Sequence, residues 1–245
     1  MPDPGNPILK ASADIGFSKE RPLVRNLDIS INQGEIFGIV GRSGIGKTTM
    51  IRTIAGLIPP ISGKISFDGN PVSSAPRGSI GLIPQRLGLV NHQSVGYNVL
   101  MGALPRANLI QTIFSLPSRG MRDATREAIR SVGLSEKSLD PVNRLSGGEQ
   151  RRVAIARAMV QSPKLLLADE CLGELDADTA KEIINLLREI SQSLGVAIII
   201  VDHNPARANT FCDSMFELKG NRLLPLRDGD LPLQTSLPQI EGPII

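Results

Sequence analysis

Two short stretches of this chain bring together residue types that handle phosphate. The first is Gly41-Arg42-Ser43-Gly44-Ile45-Gly46-Lys47-Thr48-Thr49. It follows the apolar run Ile36-Phe37-Gly38-Ile39-Val40 and precedes Met50, Ile51, Ile54, Ala55 and Leu57 at helical spacing. That is a P-loop in its strand–loop–helix context. The glycines let the backbone wrap so that N–H groups point at phosphate oxygens, and the helix N-terminus adds positive potential. Lys47 brings a point charge to the β and γ phosphates, and the Thr48 hydroxyl suits Mg²⁺. The second stretch is Leu165-Leu166-Leu167-Ala168-Asp169-Glu170, an apolar strand that ends in two acids. Asp169 at the strand's C-terminal edge would hold Mg²⁺ through water. Glu170 beside it would polarise an attacking water. Together the two stretches imply a nucleotide hydrolase.

The elements around them follow from periodicity. The first 40 residues read as strands and turns. Residues 61 to 84 read as short strands, with turn signals at Asp68-Gly69-Asn70-Pro71 and Arg77-Gly78. From about 86 to 162 helical spacing takes over, in Val99 to Leu104, Ala124 to Val132 and Val153 to Val160. This is a helical insertion, with a loop expected over Pro105 to Met121. Ala177 to Leu194 predicts an amphipathic helix with Ile183, Ile184, Leu186, Leu187, Ile190 and Leu194 on one face. Val196 to Val201 predicts a buried strand. Strands alternating with helices imply an α/β fold with a mostly parallel core sheet. The expected division is one domain over 8–222, containing the insertion, and a Pro-rich tail over 223–245.

Composition removes other classes. The chain has 245 residues, 27 Lys+Arg against 24 Asp+Glu, and a net charge of +3. That excess is small, and six Phe, one Tyr and no Trp leave few rings for bases to stack on, so no nucleic-acid partner is expected. No apolar run reaches the roughly 20 residues needed to cross a bilayer. Met1-Pro2-Asp3-Pro4-Gly5 shows no secretory pattern. Cys171 and Cys212 read as structural or incidental thiols of a cytosolic chain.

A third motif narrows the reading. Leu145-Ser146-Gly147-Gly148-Glu149-Gln150 leads into Arg151-Arg152-Val153-Ala154-Ile155-Ala156-Arg157-Ala158. Ser146 with two glycines at a helix N-terminus makes a second phosphate-binding surface. This stretch resembles the signature motif of ATP-binding-cassette (ABC) ATPases, and the resemblance spans about residues 8 to 222. It implies a P-loop cassette with an N-terminal antiparallel β portion and a helical subdomain. ATP and Mg²⁺ are then the ligands. Ser146, Gly147, Gly148 and Glu149 would serve the ATP of a second subunit in a head-to-tail homodimer. Gln85 fits the Q-loop glutamine that touches Mg²⁺. Asp176 fits the D-loop, His203 the switch histidine at the γ-phosphate, and Phe17 the ring that stacks on adenine. Membrane permease subunits and a separate solute-binding protein are implied partners, with the chain peripheral on the cytoplasmic face of the membrane.

There are departures from the family pattern. Cys171 stands where that family usually has Pro, which predicts a less rigid loop. Tyr97 stands where it often has Glu. Within the family, Asn98 to Leu104, with the segment through Ile113-Phe114, looks like the phosphonate-import ATPases. The expected cargo is phosphonate or a related phosphorus oxyanion. The alternative is a cassette ATPase outside transport, an assembly factor in phosphonate metabolism or a repair ATPase.

Overall fold

The computed structural model describes residues 6–104 and 117–226. Its strands are β1 (Leu9–Gly16), β2 (Pro22–Ile31), β3 (Ile36–Val40), β4 (Ser62–Phe67), β5 (Asn70–Pro71), β6 (Ile80–Ile83), β7 (Leu165–Asp169), β8 (Ala197–Asp202), β9 (Ser214–Lys219) and β10 (Arg222–Pro225). Its α-helices are α1 (Lys47–Ile54), α2 (Val95–Gly102), α3 (Arg119–Ser131), α4 (Gly147–Met159), α5 (Ala177–Leu194) and α6 (Pro205–Asn209).

The core sheet has the order β10-β9-β3-β8-β7-β6. Its pairings are parallel except for β10 on β9. Strands β3, β7 and β8 are buried on both faces, which is why each reads as a continuous apolar run. Alternate residues serve two cores. Ile36, Leu166, Ile198 and Ile200 face the layer of α2, α3, α4 and α5. Phe37, Leu165, Leu167 and Ile199 face α1 and a second sheet, β2-β1-β4-β5, whose pairs are antiparallel.

Helix α5 buries Ile183, Ile184, Leu187 and Ile190 on its inner face, each contributing roughly 1.5–3 kcal/mol. Asp176 caps its start by accepting from the Thr179 N–H, and Gly195 ends it in the left-handed conformation. Helix α4 buries Val153, Ala154, Ile155, Ala156 and Ala158 and forms the centre of the helical layer. Near its far end Arg157 donates to the Gly88 carbonyl at 2.6 Å and to the Leu87 carbonyl. Among the described residues no helix is long and apolar enough to cross a membrane.

Four expectations change. Leu194 is 66% exposed, because the terminal turn of α5 runs past the core it packs on. Helix α1 ends at Ile54, so Leu57 lies beyond the last turn and is exposed. Of the expected loop, 105–116 lies outside the described residues, while Arg119 to Met121 already belong to α3, capped by Ser118. The sheet runs to Pro225, three residues past the expected boundary after Arg222, because β10 pairs with β9.

Candidate functional site

The carboxyl ends of β3, β7 and β8 meet along one edge of the core sheet. A parallel sheet gathers its ligand-binding loops there. After β3 the chain turns through Gly44 and Gly46, at φ 77° and 115°, a region that a Cβ-bearing residue enters at a cost. The Lys47 side chain folds back into this loop, only 3% exposed. Its Nζ donates to the carbonyls of Gly41 at 2.7 Å and Arg42 at 3.0 Å. It also lies 3.2 Å from Glu170 Oε1.

Glu170 is the meeting point. Its other oxygen accepts from Gln85 Nε2 at 2.9 Å. Two residues from distant parts of the chain, the P-loop lysine and the glutamine after β6, thus converge on the carboxylate that follows β7. A cleft of about 200 Å³ is lined by Ser43, Gly44, Gly46, Lys47, Thr48, Thr49, Gln85 and Glu170. A second cleft of about 640 Å³ shares Ser43, Gln85 and Glu170 and reaches Arg151, Gly173, Glu174 and His203.

Asp169 ends β7 directly before Glu170, is nearly fully buried and lines neither cleft. Burial raises its carboxyl above the ordinary value, while the Thr48 hydroxyl beside it works the other way. Among the described residues its Oδ1, which is buried, has no hydrogen-bond partner. An orphaned anionic oxygen beside a threonine hydroxyl, near Gln85 and Glu170, is a donor set that fits a hard divalent cation or its bound water.

His203 follows β8 and is half-exposed. Its Nδ1 lies 3.7 Å from Asp202 Oδ1. Asp202 is buried and held by Arg207, whose Nε and Nη2 donate at 2.9 and 2.8 Å. Phe17 is 79% exposed just past β1 and lines neither cleft. Its hairpin does lean on the P-loop, since a Cβ built at Gly46 would lie 3.0 Å from Leu23 Cβ.

Ser146, Gly147, Gly148 and Glu149 form the start of α4. Ser146 accepts from the Glu149 N–H at 3.2 Å, and Glu149 accepts from the Ser146 N–H at 2.9 Å, a reciprocal capping box. The Lys137 ammonium bonded to Glu149, and next the Ser146 N–H, hold the Glu149 carboxyl below its ordinary value. A Cβ on Gly148 would stand 2.4 Å from Thr179 Cγ2, so only glycine lets α4 approach α5 there. Thr179 in turn bonds Asp176, whose carboxyl is lowered by those bonds. Ser146, Gly147, Gly148, Glu149 and Asp176 are therefore packed together and line neither cleft, while the adjacent Gln150 lines the larger one.

Cys171 is buried, and burial pushes its thiol up to about 12. Cys212 rises to about 12 for the same reason. The loop after Glu170, expected to lack rigidity without proline, is gripped instead by Arg151. Its Nε donates to the Cys171 carbonyl at 2.8 Å, and its Nη2 donates to the Gly173 carbonyl. Sequence reasoning missed this contact and the one made by Arg157. Both acceptors are backbone carbonyls, which carry no residue signature.

Residues 24–173 match a family model described as ABC transporter. The phosphonates import ATP-binding protein PhnC of Caulobacter vibrioides is 36% identical over 228 residues, 89% of this chain and 86% of that protein. The methionine import ATP-binding protein MetN of Corynebacterium jeikeium is 34% identical over 213 residues, 84% of this chain and 56% of that protein. Among solved structures, cbiO1 from Clostridium perfringens, part of the ABC transporter complex cbiONQ, is similar with a TM-score of 0.77 and 30% identity, over 89% of this chain and 87% of that one. The matched span contains the P-loop, Gln85, Ser146 and the acidic pair. The chain belongs to the ABC transporter family, as one of its ATP-binding, ATP-hydrolysing subunits.

Proposed function

We infer that the chain powers import of phosphonate or a related phosphorus oxyanion, as a head-to-tail homodimer beneath permease subunits that receive cargo from a separate binding protein. The observation that carries the catalytic part is the convergence of Lys47 and Gln85 on Glu170. The triphosphate of ATP lies against the P-loop backbone, and Lys47 exchanges its carbonyl and carboxylate partners for β- and γ-phosphate oxygens. That leaves Glu170 free to accept a proton from water. The water oxygen bonds to the γ-phosphorus while the bond to the bridging oxygen breaks, and ADP departs with the electron pair. His203 and the partner subunit's signature helix hold the γ-phosphate from the other side. Mg²⁺, held by Thr48, Gln85 and, through water, Asp169, would neutralise charge on the β and γ phosphates. Phe17, exposed in the hairpin whose Leu23 packs on Gly46, offers its ring to adenine.

The cargo reading is supported by relatives named for phosphonate import in Caulobacter vibrioides, at 36% identity, and in Rhizobium meliloti, at 35%. A second reading, methionine, has its own support from the Corynebacterium jeikeium relative at 34%. Proteoliposomes with the chain, its permease and its binding protein separate the two. ATP-dependent uptake of labelled methylphosphonate, with methionine excluded, is the expected result. Uptake of methionine alone would overturn the cargo assignment. Absence of any membrane protein from the chain's native complex would favour the non-transport reading.

A further inference from the structure

The loop from Glu170 to Glu174 is held in a conformation that its residues do not favour. Glu170 and Glu174 both lie in the left-handed region, at φ 48° and 62°. Neither is glycine, and such residues persist only where their surroundings over-determine them. The loop's own backbone bonds are few: the Glu170 N–H to the Val201 carbonyl at 3.0 Å, and the Gly173 N–H to the Glu170 carbonyl at 3.1 Å. Much of the remaining grip comes from outside, from Arg151 on the first turns of α4.

One guanidinium makes three contacts. Nε donates to the Cys171 carbonyl at 2.8 Å, Nη2 donates to the Gly173 carbonyl, and Nη1 donates to the Gly147 carbonyl at 3.2 Å. The fork is planar and rigid, so it fixes the separation of the two loop carbonyls as well as attracting each. The residue between Glu170 and the rest of the loop is Cys171, which has no ring to fix its φ. The neighbouring Arg152 points elsewhere, to the Val132 carbonyl and to Glu182. On the far side, a Cβ built at Gly173 would stand 4.0 Å from His203 Cε1. The gripped segment thus runs between the two groups placed at the γ-phosphate.

We propose that Arg151 is a positioning residue for Glu170, and that it couples the setting of that carboxylate to the α4 N-terminus presented to the partner subunit's ATP. The inference rests on the reading of Glu170 as general base in a head-to-tail dimer. Arg151 borders the larger cleft, but its guanidinium bonds loop carbonyls and not the Glu170 carboxylate. It acts by holding the loop, and because Gly147 shares the same guanidinium, a shift of the helix end on dimer closure reaches Glu170 directly.

The test uses the full chain, with Arg151→Gln and Arg151→Lys. For Arg151→Gln, kcat falls roughly 10- to 100-fold, the loss typical of a small misplacement of a catalytic group. The ATP dissociation constant measured by titration stays within about twofold of wild type, since the P-loop is untouched. The Hill coefficient for ATP in steady-state hydrolysis falls toward one. Arg151→Lys, which keeps the charge but cannot span both carbonyls, loses less. In single-turnover assays, Arg151→Gln/Glu170→Gln is no slower than Glu170→Gln alone, because a residue acting through another adds nothing once that other is gone. A purely structural loss would slow the Glu170→Gln background further. That additivity, or a wild-type kcat for either Arg151 variant, overturns the proposal. Should Arg151→Gln fail to fold, Arg151→Lys decides. The underlying reading has its own control: Glu170→Gln hydrolysing ATP at the wild-type rate would sink the general-base role whatever Arg151 does.

Discussion

The P-loop cradle and the start of α4 are both glycine-bearing loops that lead into helices, yet they are opposite in form. The cradle is concave. Its charge is internal, with Lys47 buried against Gly41 and Arg42 carbonyls and Glu170. The α4 start is convex and exposed at Ser146 and Gly147. Its Ser146 hydroxyl is committed to a cap and its Glu149 to Lys137. One fold therefore presents a cradle lined by residues of the chain itself and a helix start whose Ser146 to Glu149 line neither cleft. In the proposed head-to-tail pair the second would meet phosphate across the interface.

Mutations can break this contrast or sharpen it. The largest effect is expected for Glu170→Gln: kcat falls about 10³-fold, within the range for a lost general base. ATP binding survives, and ATP-driven dimers accumulate in gel filtration. Next is Lys47→Ala, which weakens ATP binding about 10- to 100-fold, the worth of a charged hydrogen bond, already in the monomer. Ser146→Ala is the counterpart. It leaves monomer binding of ATP alone, lowers cooperative hydrolysis in the dimer, and costs about 1 kcal/mol of helix capping in a melting experiment. If Ser146→Ala weakened ATP binding in the monomer as much as Lys47→Ala, the contrast between the two sites would collapse.

The smallest effects are on stability, and here the two regions carry opposite signs. Asp169 has a raised pKa, so its charge destabilises the fold at neutral pH, and that penalty is relieved as pH falls through the raised value. Asp169→Asn is expected to raise Tm by about 2–4 °C in the absence of nucleotide while abolishing hydrolysis. Glu149 has a lowered pKa, so its contribution is complete above its ordinary value and disappears as pH falls through the lowered one. Lys137→Met should flatten the acid limb of the Tm–pH curve only below about pH 4.5, with a small amplitude because the pair is partly exposed. Melting scans across pH separate the two.

Much of the fold was legible because β3, β7 and β8 are buried on both faces and show it as unbroken apolar runs. The loops they feed were legible for the same reason: chemistry sits at the ends of such strands. The start of α3 was not. Its first turn, Arg119 to Arg122, offers only Met121 to the core, and the cap at Ser118 is hidden among other polar residues. The grip of Arg151 on the loop after Glu170 was equally hidden, since an arginine at a helix surface has solvent as its default partner. Phe17 was legible as a lone ring ahead of the P-loop, but nothing in its neighbours foretold an exposure of 79%.

Helix α4 has one further consequence. Its 13 residues span about 20 Å. At one end Arg151 holds the loop behind Glu170, and near the other Arg157 holds the carbonyls of Leu87 and Gly88, just past Gln85. Between them Val153, Ala154, Ile155 and Ala156 are buried in the helical layer. The element is in effect a connecting rod pinned at both ends. A displacement of α4 would therefore bear on the loop after Glu170 and on the loop after Gln85 at once.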